Sequence, residues 1–137
     1  MTKADLWRGR MGTAAAMAYL TRARLTVAAL PFPRWRNSLG LCKTADRNSL
    51  RTGQRLASQL ERAAERLPFE TKCLPRAVAL SWLLRRKHVG HSVVFAVRPA
   101  SQRALPDPLH AWVEINGTKV IGDLPGPWAE TLRLGDC

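Results

Sequence analysis

Residues 109–123 read LHAWVEINGTKVIGD, two alternating runs around an Asn-Gly pair, and the reading of this stretch decides the fold. Asn116-Gly117 between such runs predicts a two-residue type I′ turn, which needs positive φ at both central residues. Strands are expected over 109–115 and 118–122. Counting outward from the turn, Ile115 faces Thr118, Glu114 faces Lys119 and His110 faces Asp123. Opposed side chains on one sheet face have Cβ atoms roughly 4.5–5.5 Å apart, so the imidazole and the carboxylate are within reach of each other. Glu114 and Lys119 make a favourable cross-strand charge pair in the same register.

Upstream, SVVFAV (92–97) is a third strand, joined to the hairpin by the polar, proline-rich loop RPASQRALPDP. Before it the apolar period becomes helical. Thr13 to Leu30 reads as a helix ended by Pro31-Phe32-Pro33, and Ser49 to Leu67 as a second ended by Pro68. A third starts near Thr71, a plausible N-cap, with Pro75 in its first turn and Arg85, Arg86, Lys87 and His88 at its C-terminal end. Leu74, Val78, Leu80, Trp82 and Leu83 make it apolar on more than one side, as a central helix must be. The tail PGPWAETLRLGDC gives no clear period. Helices followed by helix–strand–strand–strand point to an α+β fold with a small antiparallel sheet, in one domain spanning 1–137. Its helical part, 1–68, is a candidate for docking a partner, and 69–137 carries the chemistry.

The chain has 137 residues, 46% of them hydrophobic, enough for one modest core. Its 22 basic and 10 acidic residues give a formal net charge of +12, split as 13 against 4 over 1–66 and 9 against 6 over 67–137. A basic half implies an anionic partner or a solvated face. Nucleic acid is disfavoured as that partner, because helix-turn-helix and RNP signatures are missing and aromatics are sparse beside the RWR patch at 34–36. The stretch from Gly12 to Pro31 follows a basic start, but Arg22 and Arg24 interrupt it. It is therefore neither a secretory core nor a membrane span, which needs about 20 apolar residues. Cys42, Cys73 and Cys137 cannot close a disulfide framework, and a reducing, cytoplasmic setting is the easier reading, with Cys42 and Cys137 as ordinary thiols.

Cys73 differs from the other two in position. A thiol in the first turn of a helix sits at the positive end of the dipole among unpaired N–H groups, which favours the thiolate. The same N–H groups can hold the oxyanion formed when that thiolate attacks a carbonyl. Asp123 would fix the tautomer of His110 and leave its other nitrogen free to take the thiol proton. Glu114 is excluded as the orienting acid because it lies four residues from His110 on one strand, roughly 13 Å at standard rise. His88 and His91 are spaced i, i+3 across a helix-breaking Gly90 and have no third ligand, so no metal site is expected.

Three segments together resemble the B2 leader peptidases of lasso-peptide biosynthesis, a branch of the transglutaminase-like cysteine enzymes. They are LPFPRWRNSLG after the first helix, CLPRAVALSWLLRRKHVG, and LHAWVEINGTKVIGD. HAWVE by itself marks only the wider transglutaminase-like group; the three in this order are specific. Pro75 departs from the small or variable residue expected there, and fits a first helical turn. The resemblance implies a transglutaminase/papain-like core in which the Cys-bearing helix packs on the sheet. It also implies Cys73 as nucleophile, His110 as general base and acid, and Asp123 as orienting carboxylate, with no cofactor. The implied substrate is a ribosomally made precursor peptide, cut at its leader–core junction. The implied partners are a leader-recognition B1 protein and, as a further candidate, the ATP-dependent lasso cyclase. Nothing before Cys73 resembles the winged-helix recognition domain, so a stand-alone B2 that needs a separate B1 is expected. Two other classes compete: a basic nucleic-acid-binding module, and a catalytically inactive scaffold of the same fold.

Overall fold

The structure is a computed structural model that describes residues 3–99, 109–122 and 126–135, with side chains from residue 12 onward. Four α-helices precede a four-stranded sheet: α1 Lys3–Ala29, α2 Phe32–Trp35, a 3-10 turn Arg36–Ser38, α3 Arg47–Arg66, α4 Cys73–Arg86, then β1 Ser92–Val97, β2 Leu109–Ile115, β3 Thr118–Ile121 and β4 Ala129–Leu134. The strand order is β3-β2-β1-β4 and every neighbouring pair is antiparallel. The fold is α+β, as the segment order predicts.

Each helix boundary has a local cause. Asp46 caps α3 by accepting a hydrogen bond from the Ser49 amide at 2.8 Å, which starts that helix two residues before the expected Ser49. Helix α4 begins at Cys73, after Lys72, which makes no side-chain cap. Thr71 is therefore not the N-cap; its hydroxyl instead accepts from Arg76 Nε at 3.2 Å. Leu20 of α1, Leu60 of α3, and Val78, Leu80 and Leu84 of α4 are fully buried and meet Val93, Val113 and Ile115 of the sheet in one cluster. Truncating any of these leucines to alanine is expected to cost about 2–5 kcal/mol. Helix α4 is thus the central helix, buried along most of its length between α1, α3 and β2.

Two departures from the expected sheet matter for the site. The tail contributes a strand, β4, which pairs with β1 and makes β1 an internal strand. Its Arg133 takes Glu114 at 2.6 Å, so the ion-pair partner of Glu114 is Arg133, while Lys119 sits 4.4 Å from the centroid of the Trp112 ring. Second, the hairpin turn is as expected, with φ of 51° at Asn116 and 79° at Gly117, but its register is not uniform. Ile115 faces Thr118 and Glu114 faces Lys119, then a bulge intervenes and Val113 pairs with Ile121. Val113 thus meets a partner one position later than outward counting gives. The uniform register from which the His110–Asp123 opposition was counted does not hold. Asp123 itself lies outside the described residues, as do 100–108 of the proline-rich loop.

Candidate active site

The first residue of α4 and the second of β2 meet at one end of the sheet. Cys73 is half-buried and is the free cysteine among the described residues. His110 is 5% exposed, with its ring packed between Trp112 and Trp128 at centroid distances of 5.8 and 5.0 Å. The imidazole and the thiol line the same hollows and act on each other's proton affinity.

The tautomer follows from the second contact of the ring. His110 Nε2 is hydrogen-bonded to the carbonyl of Gly122. A carbonyl only accepts, so Nε2 carries the proton and donates. In the neutral ring Nδ1 is then the bare nitrogen, the one suited to take a proton from the thiol. Gly122 can hold this position because it has no side chain. Its φ is +80°, and a Cβ there would lie 2.7 Å from the Ala111 carbonyl oxygen and 3.1 Å from Trp112 Cβ. A backbone carbonyl thus engages the Nε2 side of the ring, while Asp123, the carboxylate expected to orient it, lies outside the described residues.

The electrostatics of the pair are reciprocal. Burial pushes the Cys73 thiol up, but the hydrogen bond to His110, the amides of Ala111 and Leu74 and the charge of His110 outweigh it, and its pKa is lowered. Burial pushes His110 down, but the thiol's hydrogen bond, the Gly122 carbonyl and the charge of Cys73 outweigh it against a small opposing push from Lys119, and its pKa is raised. Lowered thiol and raised imidazole favour the same state, a thiolate beside an imidazolium. Such a pair can attack a carbonyl and then protonate a leaving amine.

Two hollows flank the sulfur. One, of about 370 Å³, is of mixed character and runs past Glu61, Thr71 and Arg76 to Ile121 and Gly122. Arg76, noted in the sequence only as a nearby positive charge, is held there by Glu61 at 2.6 Å and by Thr71. The other, of about 130 Å³, is apolar, walled by Leu74, Phe95 and Ala111 with Leu109, 67% exposed, at its rim. Glu61, the Gly122 carbonyl and Trp128 were not legible as site residues, since they come from α3, a bulge and the approach to β4, none adjacent to Cys73 in sequence.

The remaining histidine of interest, His91, is a structural group. Its Nδ1 donates to the Val89 carbonyl at 2.8 Å and its Nε2 accepts from Ser81 at 2.6 Å, while the Ser81 hydroxyl oxygen accepts from the Gly40 amide. No cluster of three or more metal-ligating side chains occurs among the described residues. Cys42 is disulfide-bonded, which corrects its reading as an ordinary thiol. Disulfides persist mainly in oxidising compartments, so the cysteine usage does not carry the argument for a reducing setting. Among the described residues, no helix is long and apolar enough to cross a membrane.

A thiol at a helix N-terminus beside a strand histidine is an arrangement that cysteine-type acyl transfer uses. A family model for the transglutaminase-like superfamily matches residues 16–133, nearly the whole chain. The protein belongs to that superfamily, which includes cysteine peptidases. Comparison with curated proteins and with solved structures gave no match.

Proposed function

We propose that the protein is a cysteine peptidase that removes the leader from a ribosomally made lasso-peptide precursor. It would work in the cytoplasm beside a separate leader-recognition B1 protein and an ATP-dependent cyclase. The observation that carries the chemistry is the reciprocal pKa shift of Cys73 and His110, with Nε2 of the ring committed to the Gly122 carbonyl. The lasso-peptide assignment rests on the three sequence segments and their order.

In this reading the Cys73 thiolate attacks the carbonyl at the leader–core junction, and amides of the first turn of α4 stabilise the oxyanion. The imidazolium of His110 gives its Nδ1 proton to the departing core amine as the C–N bond breaks, leaving a thioester on Cys73. Nδ1 then takes a proton from water, whose hydroxide attacks the thioester; the tetrahedral species collapses, the leader leaves as a carboxylic acid and the thiolate is restored. Asp123, next in the chain after Gly122, would stabilise the charged ring. The substrate crosses Cys73 with one flank in the hollow by Arg76 and the other in the apolar hollow by Leu74 and Phe95.

The test needs no substrate at first. Alkylation of Cys73 by iodoacetamide, followed against pH by peptide mapping, should show an inflection below the ordinary thiol value of about 8.5, shifted back up in His110→Ala. Incubation with a lasso precursor and a B1 protein, read by mass spectrometry, should then release leader and core in wild type and not in Cys73→Ala. A Cys73 that titrates as an ordinary thiol with the partner present would sink the peptidase reading. A reactive Cys73 with no cleavage of any lasso precursor would sink only the substrate.

A further inference from the structure

Away from the cleft, α1, the turn region 31–38 and the C-terminal half of α4 enclose a groove of about 460 Å³. Three guanidinium groups line it, Arg22, Arg34 and Arg85, and among the described residues no carboxylate does. The ion pairs among the described residues, Arg76–Glu61 and Arg133 with Glu114 and Glu130, involve none of the three. Like charges gathered in one concavity repel one another and create a strong positive potential unless an anion enters.

The walls of the groove are already built. Arg22 lies over the Trp82 ring at 5.2 Å, Arg85 donates to the Asn37 carbonyl at 2.8 Å, and Trp82 Nε1 donates to Ser38 at 2.9 Å. Trp35 is 6% exposed and its Nε1 donates to the Leu30 carbonyl at 3.1 Å. At the edge of this charged hollow Leu30, directly after α1, is 42% exposed, and Leu25 of α1 is 63% exposed. Guanidinium forks beside an exposed leucine match a segment that alternates carboxylates with an apolar anchor.

The occupant can be narrowed. Single-stranded nucleic acid needs open aromatic faces for its bases; Trp35 is buried and Arg22 covers a face of Trp82. The substrate at Cys73 does not reach the groove directly. Trp82 follows Cys73 by nine residues of α4, about two and a half turns, so it leaves the helix on the opposite side, and Arg85 lies about 18 Å along the axis from Cys73. We infer that the groove receives an acidic segment of a separate protein partner, its carboxylates on Arg22, Arg34 and Arg85 and an apolar side chain against Leu30. The inference uses nothing from Cys73 and stands independently of the peptidase reading.

The full-length protein is titrated into a fluorescein-labelled nonapeptide of glutamate with leucine at every third position, followed by anisotropy, with a lysine–leucine peptide and decathymidine as competitors. Wild type should bind the acidic peptide, with neither competitor displacing it at equal concentration. Arg22→Glu with Arg34→Glu should weaken binding at least tenfold. Arg51→Glu with Arg55→Glu, the same charge change on the exposed face of α3, should change it less than twofold. Arg22→Gln with Arg34→Gln gives a milder groove variant if the first melts early, and is expected to lose at least threefold. Cys73 alkylation stays at the wild-type rate in all of them. No binding by wild type, equal loss in groove and α3 variants, or displacement by decathymidine at equal concentration overturns the inference.

Discussion

His91 and His110 are almost equally buried, 4% and 5% exposed, yet their proton affinities move in opposite directions. Around His91, burial dominates, helped by the positive charge of Arg85 against the opposing Val89 carbonyl, and the ring is held neutral. Around His110 burial pulls the same way, but the Cys73 thiol and the Gly122 carbonyl reverse it. Both rings donate one N–H to a carbonyl, Val89 for one and Gly122 for the other, so that contact does not separate them. Two things separate them: His91 lies deeper in the protein, and the second nitrogen meets a different group. A serine hydroxyl cannot take up charge near neutral pH; a thiol can, and in doing so it stabilises the imidazolium.

The comparison breaks most severely if the thiol is removed. Cys73→Ala should abolish precursor cleavage, and His110→Ala should lower it by about 10²–10⁴, the range a general acid–base contributes. In Cys73→Ala, NMR titration should find the His110 pKa fallen below its wild-type value, since two of its raising causes are gone. A His110 pKa that stays raised would mean that the carbonyl, not the thiol, makes the difference between the two histidines.

The next largest effect belongs to Gly122. A methyl there meets the Ala111 carbonyl in a positive-φ conformation, so Gly122→Ala should destabilise by at least about 1 kcal/mol and slow Cys73 alkylation severalfold. Gly117→Ala is the matched control: φ is nearly the same, +79°, but nothing lies within 4 Å. It should weaken the turn and leave the alkylation profile alone. Equal loss of thiol reactivity in both would show that hairpin strain, rather than the carbonyl's position, is being measured.

Stability against pH should sharpen the contrast further. The folded pKa of His91 is below its unfolded value of about 6.5, so its contribution is complete above that value and lost as pH falls through the folded pKa. His110, raised when folded, contributes fully below about pH 6.5 and loses that contribution as pH rises through its folded pKa. Urea titrations should therefore show an acid-side decline reduced in His91→Gln and an alkaline-side decline reduced in His110→Gln. The smallest effect is expected at the rim of the apolar hollow. Leu109→Asp, at an exposed position, should raise KM for the precursor severalfold without changing alkylation by the small reagent iodoacetamide.

Much of this was legible before any tertiary contact was known, and the reason is locality. Helical spacing in 49–67, Pro75 behind Cys73 and the Asn116-Gly117 turn each act within a few residues, so α3, the start of α4 and the hairpin follow from the sequence within two residues. The pairing of Cys73 with His110 was legible as well, because a helix start and a strand beside a fixed turn leave few arrangements. What outward counting could not contain is the bulge between Val113 and Glu114, which the turn residues do not encode.

The tail shows the same limit from the other side. AETLRL has no clean alternation, and it becomes β4 because the open edge of β1 offers unpaired amides and carbonyls, and because Glu114 across the sheet receives Arg133. The Arg22–Arg34–Arg85 groove likewise gathers residues from three separated segments, all of them merely basic in sequence. By itself, then, the sequence determined the α+β class, the extent of α3, the start of α4, the turn and the nearness of thiol to imidazole, all set by short-range backbone preference and apolar period, while α1 starts ten residues before the expected Thr13. Only the tertiary structure decided the bulged register, the Gly122 carbonyl that sets the tautomer of His110, the fourth strand and the charged groove, because each exists only where distant segments pack together.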